Sequence, residues 1–283
     1  MRVTVYATGM ESPPPVPAWS PTPEELHQLY EAKILLENPG LAARLANTIG
    51  SPIEKGFRML PEGWTNVVHR AAQAALTRAL NVAIGTLDTR QPRKRSSEKF
   101  HKLLVGASGG LGGAFGLAAL PVELPLSTTL MLRSIADIAR SEGHDLRSVP
   151  IRLSCLEVFA LGGRNPSDNA VESSYWAVRA ALAKAITEAA AYLGERGLLE
   201  QAAPAVVRLI GAIASRFGVI VSEQLAAKAV PIIGAAGGAT VNILFMNHFQ
   251  DMARGHFIVK RLEAKYGSES VERVYRSLAI PMR

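Results

Sequence analysis

Apolar residues recur along most of this chain at the three- and four-residue spacing of amphipathic helices. The clearest stretch runs from about Thr65 to Leu87, where small and branched apolar residues form one stripe. The stripe comprises Val67, Val68, Ala71, Ala75, Leu76, Ala79, Leu80, Ala83 and Leu87. Alternating runs of β-branched and aromatic residues are nearly absent after the first six positions. The pattern therefore predicts an all-α fold.

Capping and breaking residues divide the chain into roughly nine to eleven helices. The first has the clearest start, because Thr22-Pro23-Glu24-Glu25 combines a capping box with proline at the first helical position. Later in the chain, the pattern predicts two separate helices, 198–216 and 219–229. A long helix then continues without a breaking residue as far as Gly267.

Two long uncharged segments, 103–122 and 229–247, contain glycines at four-residue spacing. The glycines lie at 106, 109, 110, 112, 113 and 116 in the first segment and include 234 and 238 in the second. Such spacing places small residues on one helix face, where another backbone can approach closely. We therefore predict a multi-helix globular bundle around a central glycine-rich hairpin, 103–142, packed against a long C-terminal helix, 230–266. The alternative, a phosphate-binding loop, lacks both the G-x-x-x-x-G-K-[ST] and the G-x-G-x-x-G pattern.

Both segments approach the length of a membrane span. Glu123 and two prolines interrupt or follow the first one, and neither has flanking belts of tryptophan and tyrosine. These features favour a helix pair covered by other helices, while reversible contact with a membrane stays open. The N-terminus has no apolar run of signal-peptide length, which predicts a cytoplasmic protein.

The remaining composition suggests one helical domain, 22–283, after a proline-rich and poorly ordered extension, 1–21. A basic linker at 88–97 carries Arg90, Arg93, Lys94 and Arg95. The net charge is +7, which suits an anionic partner. Nucleic acid is not expected, because basic motifs interleaved with aromatics and zinc-finger spacings are absent. The single cysteine, Cys155, reads as a small buried apolar residue.

The first group of candidate functional residues lies in the predicted hairpin. Glu123 and Ser127 are four residues apart, as are Arg133 and Asp137, so each pair shares a helix face. A carboxylate within so apolar a run needs a partner, a proton or a metal ion. The pattern is equally consistent with a buried ion pair that fixes the register of the hairpin.

The second group lies on the long C-terminal helix. His248 and Asp251 share a face, and His256 follows two turns later; a divalent metal could bind there together with Glu123. The simpler interpretation is an ion pair between Asp251 and Arg254 beside two ordinary histidines. Glu157, in the apolar run CLEVFAL, either joins Glu123 in a polar centre or faces solvent.

Three strings in the chain resemble the EcsC protein family. They are LAALPVELPLSTTLMLRSIADIARSEGHDL, CLEVFALGG and AVPIIGAAGGATVNILFMNHFQDMARGHFIVKRLEAKYG. The resemblance extends from about Leu60 to Gly267 and implies a bacterial α-helical protein that is cytoplasmic or peripheral to the membrane. It transfers no catalytic role. The polar positions that these strings share with the family are Glu123, Arg133, Asp137, Glu157, His248, Asp251, Arg254 and His256.

Two functional hypotheses follow. The first is an accessory protein at the inner face of the cell membrane, which binds lipid or an integral membrane partner such as a transporter. It would bind through the glycine-rich apolar segments and the basic linker, Arg90 to Arg95, which would contact anionic lipid. The alternative is a metal-assisted hydrolase whose ligands or acid–base groups come from Glu123, Asp137, Glu157, His248, Asp251 and His256, with Arg133 and Arg254 as binding residues. A third interpretation is a purely structural or oligomerising helical protein, in which all these polar groups are paired core residues. The sequence leaves open whether the protein is an enzyme.

Overall fold

The computed structural model describes residues 20–37, 41–50, 53–86, 120–163, 175–196, 203–229 and 234–279. Within these ranges the chain forms ten α-helices, one 3₁₀ turn and no strand, which confirms the all-α prediction. The glycine-rich segment 103–119, the basic linker 88–97 and residues 1–19 of the predicted extension lie outside the described residues. The predictions made for them therefore stay predictions.

The helices follow one another in the order of the sequence. They are α1 (Pro23–Glu37), α2 (Leu41–Ile49), α3 (Ile53–Arg58), α4 (Trp64–Gly85), α5 (Leu120–Ser141), α6 (Val149–Glu157), α7 (Tyr175–Arg196), α8 (Pro204–Ala229), α9 (Gly234–Tyr266) and α10 (Ser268–Ser277). A 3₁₀ turn, Val158–Ala160, continues α6.

Three long helices, α4, α8 and α9, organise the core. The first packs against α5 and α8, while α9 packs against α1, α5 and α8. The shorter α2 and α3 lie on α8, and α6 and α7 close the side between α4 and α8. The second arm of the predicted hairpin, α5, thus packs against the C-terminal helix as expected.

The start of α1 shows how far local sequence determines local structure. The backbone N–H of Glu25 donates to the Thr22 hydroxyl at 3.2 Å, and the backbone N–H of Thr22 donates to the Glu25 carboxylate at 3.1 Å. These are the two reciprocal bonds of a capping box, which satisfy donors that the first helical turn leaves free. Lys265 and Tyr266 also donate to Glu25, and the pKa of Glu25 falls to about 2 chiefly because of these bonds.

The prediction of two helices, 198–216 and 219–229, is wrong, because α8 runs unbroken from Pro204 to Ala229. Gly218 lies inside it, where a glycine weakens a helix by only about 1 kcal/mol relative to alanine. Its neighbours Phe217, Ile220 and Val221 are fully buried. Burial of these large side chains outweighs the local preference, so the helix continues.

Among the described residues, α8 alone is long and apolar enough to cross a membrane by length and composition. Its most apolar window has a mean hydropathy of 1.7, and 44% of that window is buried. The central helix of a water-soluble protein meets the same criteria. The second predicted candidate, 229–247, falls within this search only from Gly234 onward and does not meet them there.

Gly56 on α3 shows the close backbone approach that the sequence suggested for other glycines. A Cβ added at Gly56 would overlap the carbonyl oxygen of Ala226 on α8. Neither backbone can retreat without moving a whole helix. A glycine contact of this kind therefore sets the spacing between α3 and α8.

Candidate functional site

Glu123 joins three helices. Its carboxylate accepts from Lys228 on α8 at 3.0 Å and from Asn242 on α9 at 3.4 Å. Gln224 donates to the Asn242 side-chain oxygen at 2.8 Å. The Glu123 and Lys228 side chains are only 15% and 12% exposed. We call these four residues the polar junction.

The polar junction gives Glu123 partners outside the predicted hairpin, and the other residues of the first candidate group have contacts of their own. The Ser127 hydroxyl donates to the backbone carbonyl of Leu124 at 3.1 Å. Asp137 pairs with Arg140 at 3.0 Å, whereas Arg133 is exposed. Within the described residues, the ion pair of Glu123 therefore holds α5 to α8. Lys228 was missed because its partner lies far away in the sequence.

His248 is buried next to Gly162. Its ring edge lies against Gly162, where an added Cβ would approach Nε2 at 2.8 Å, and a φ of 76° there also favours glycine. Burial lowers the pKa of His248 to about 4, and the positive charge of Arg44 adds to this effect. Asp251 pairs with Arg44 at 2.7 Å. Arg44 is thus the ion-pair partner of Asp251, in place of the Arg254 that the sequence suggested.

We expect the stability of the folded protein to decrease in acid, because the imidazole of His248 is buried. Because its folded-state pKa lies below the usual value of 6.5, the unfolded chain binds the proton more readily, and stability is lost as pH falls from about 6.5 toward 4. Between pH 7 and pH 5 the wild type is expected to lose about 2 kcal/mol more than a His248→Gln variant. Urea unfolding at both pH values measures the difference. An identical pH dependence in the two proteins would contradict the assignment.

Glu157 and His256 meet in the interior. Tyr175 contacts Nδ1 of His256 through its hydroxyl at 3.0 Å, and Nε2 of His256 lies 3.5 Å from the Glu157 carboxylate without the geometry of a hydrogen bond. Burial raises the pKa of Glu157 and lowers the pKa of His256 well below its usual value. Although the contact joins an acid and a base, burial thus favours the neutral form of both. Glu157 contacts His256, whereas Glu123 contacts Lys228 and Asn242. The two glutamates therefore do not share one polar centre.

Arg179 on α7 closes this cluster toward the surface. Its guanidinium donates to both carboxylate oxygens of Glu263 at 2.8 Å, and it lies over the rings of Tyr175 and Trp176 at 5.3 and 5.0 Å. The side chains of Arg179 and Glu263 are 17% and 10% exposed. A bidentate pair of this kind fixes the orientation of both side chains.

A cavity of about 480 Å³ lies beside this cluster, between α6, α7, α9 and α10. Glu157, Trp176, Arg179, Lys260 and Arg276 line it. Its volume falls in the range of small-molecule binding sites, and its lining includes a buried acid, Glu157, and a cation held in place, Arg179. We call it the α7–α9 cavity.

Several of these residues were missed by the reasoning from sequence, although one signal was present. His256, Lys260 and Glu263 are spaced by four and three residues, so they occupy one face of α9. Tyr175 and Arg179 share a face of α7 in the same way. What the sequence could not show is that the two faces oppose each other.

The candidate metal ligands do not converge in the described part of the chain. Glu123 belongs to the polar junction, His248 lies against Gly162, Asp251 pairs with Arg44 and His256 contacts Tyr175. No group of three or more histidine, cysteine, aspartate or glutamate side chains there could hold a metal ion. Cys155 is fully buried, which raises its pKa to about 12 and leaves it a weak nucleophile.

Comparison with known proteins gives a family and no closer relative. The model of the EcsC protein family matches residues 24–262, so the match begins well before the strings in which the resemblance was noticed. It includes α1 to α8 and nearly all of α9. No curated protein and no solved structure matches the chain. Since the family model spans most of its length, the chain belongs to the EcsC protein family.

Proposed function

We propose that this protein is a membrane-peripheral accessory protein, which attaches to an anionic lipid surface through the exposed surface beside the polar junction. The observation that supports it most directly is the 3.4 Å contact between Glu123 and Asn242. Glu123 directly follows the uncharged segment 103–122, and Asn242 lies within the uncharged segment 229–247. The end of the first apolar segment and the interior of the second therefore meet at the polar junction.

Exposed apolar side chains lie next to this place. Val122 and Leu126, one turn apart on α5, are 78% and 50% exposed, and Ile243 on α9 is 37% exposed. Val122 and Ile243 are the immediate sequence neighbours of Glu123 and Asn242. Insertion of such side chains into the boundary between headgroups and acyl chains is favourable in proportion to the apolar area removed from water.

The charge of the chain supports an anionic surface. The net charge is +7, and the basic linker that contains Arg93, Lys94 and Arg95 is separated from the first apolar segment by five residues. Basic residues close to an anionic membrane contribute about 1 kcal/mol each. The metal-assisted hydrolase has less support, because its candidate ligands occupy separate surroundings in the described part of the chain.

Sedimentation with vesicles of mixed phosphatidylglycerol and phosphatidylcholine tests the proposal. We expect a Val122→Asp/Leu126→Asp variant to bind at least about tenfold more weakly than the wild type, because two apolar anchors are lost and two negative charges are added. Raising the salt concentration should also weaken wild-type binding through screening of the basic residues. An Arg93→Ala/Lys94→Ala/Arg95→Ala variant measures the contribution of the linker.

Val207→Asp is the matched control. Val207 is 55% exposed on the first turns of α8, and about 31 Å of helix separates it from Lys228 at the polar junction. This variant should bind vesicles like the wild type. Attachment to lipid would be refuted if the wild type did not bind anionic vesicles, or if the double variant bound them as tightly as the wild type. Binding to native membranes but not to protein-free vesicles would indicate an integral membrane partner.

A further inference from the structure

We propose that the α7–α9 cavity binds a small organic anion, a phosphate monoester or carboxylate whose apolar part lies along α7. This inference is independent of the membrane proposal. Lys260 at the cavity and Asn242 at the polar junction are separated by about 27 Å along α9. One site can therefore fail a test while the other passes.

Positive charge reaches the cavity from three helices. Arg179 comes from α7, Lys260 from α9 and Arg276 from α10. Arg179 is neutralised by Glu263, and Arg276 donates to Glu272 at 2.6 and 2.8 Å. Lys260 is half-buried and has no ion pair or hydrogen bond within the described ranges. It is therefore the cation that an anionic ligand would neutralise.

Glu157 contributes less negative charge than its type suggests. It is 3% exposed, and burial raises its pKa, so at a given pH more of it is protonated than of an exposed glutamate. Lys260 and Arg179 oppose this effect and Glu263 adds to it. A protonated carboxyl donates a hydrogen bond, which suits an oxyanion. The wall of the cavity thus offers a positive charge and a carboxyl group whose protonated form is favoured by burial.

Apolar side chains also line the cavity. They are Trp176, Ala177, Ala180 and Ile186 of α7, with Pro150 of α6. The indole of Trp176 is held in place by Arg179 on one side and by an edge-to-face contact with Tyr275. A cavity lined by a rigid aromatic ring and a cation favours a ligand with one charged end and one apolar end.

Isothermal titration calorimetry with phenyl phosphate and benzoate tests the inference on the full-length protein. We expect at least one probe to bind, and Lys260→Ala to weaken it at least about tenfold, since a charge-assisted hydrogen bond is lost. Inorganic phosphate, which lacks the apolar part, should bind at least about tenfold more weakly than phenyl phosphate. A short-chain, water-soluble phosphatidic acid that binds more tightly than phenyl phosphate, with the same dependence on Lys260, would identify a lipid headgroup as the source of the phosphate.

Two further variants locate the bound probe. Lys184→Ala removes a lysine of α7 whose side chain is 89% exposed and which does not line the cavity, so it should leave affinity unchanged. Ala180→Phe narrows the cavity from its apolar side and should abolish binding, with the fold checked by circular dichroism. The inference is overturned if neither probe binds at millimolar concentration, if Lys260→Ala binds as well as the wild type, if Ala180→Phe does so, or if phenyl phosphate binds but no more tightly than inorganic phosphate.

Discussion

Replacing Arg179 with alanine is expected to lower the free energy of unfolding by about 3–5 kcal/mol. The substitution removes both donors that reach the Glu263 carboxylate at 2.8 Å, and the Glu263 side chain is only 10% exposed. Among the described residues, the Ser268 hydroxyl, 2.9 Å away, is the one donor that would remain. The stacking of the guanidinium over Tyr175 and Trp176 is lost as well. Chemical unfolding monitored by circular dichroism measures the loss.

A double-mutant cycle separates the pair from its surroundings. Arg179→Met/Glu263→Met should cost clearly less than the sum of the two single substitutions, because neither charge remains buried alone. Arg208→Ala is the matched control, since Arg208 pairs with Glu188 at 2.6 Å while the two side chains are 60% and 35% exposed. That exposed pair should contribute less than about 1 kcal/mol. If Arg179→Ala and Arg208→Ala had equal small effects, Glu263 would have to be solvated in the variant.

Gly56→Ala is expected to destabilise the protein by about 3 kcal/mol or more. Overpacking a well-packed core typically costs about 1–3 kcal/mol, and here the atom that the new methyl group would meet is the backbone carbonyl of Ala226. A side chain could rotate away, whereas a backbone carbonyl moves only with α8. The small gain in helix propensity from glycine to alanine, about 1 kcal/mol, is outweighed. Thermal and urea unfolding both report the change.

Gly211→Ala is expected to change the stability of the protein in the opposite direction. Gly211 lies within α8, and a Cβ built there meets no atom within 4 Å outside the neighbouring backbone of its own helix. The same substitution should therefore stabilise the protein by about 0.5–1 kcal/mol, through helix propensity and the smaller entropy of the unfolded chain. If both variants were stabilised, α3 and α8 would not lie as close together as the structure has them.

The helices could be predicted because their causes are local. The capping box needs only Thr22 and Glu25, three residues apart, and its bonds form as the sequence indicates. The stripe from Val68 to Ala83 is buried on α4 because its spacing matches the helical repeat. The family resemblance was likewise visible in continuous strings. Where local signals conflicted with packing, as at Gly218 in α8, the local prediction failed.

The candidate sites depended on pairings over long distances in the sequence. Glu123 was correctly noticed as a carboxylate that needs a partner, but Lys228 lies 105 residues away and Asn242 119. His256 was noticed for its spacing from His248, whereas its contact is Tyr175, 81 residues earlier. Spacing along one helix can show which residues share a face. It cannot show which other helix that face meets.

By itself, the sequence determined an all-α chain of the EcsC family, with one capped first helix, an unusual carboxylate at Glu123 and a C-terminal helix rich in polar side chains. Only the tertiary structure decided that Glu123 ties α5 to α8 and α9, and that Glu157 and His256 meet beside Arg179. The reason is physical. Helix periodicity is set by backbone hydrogen bonds between residues four apart, whereas the partner of a buried charge is set by how all the helices pack at once.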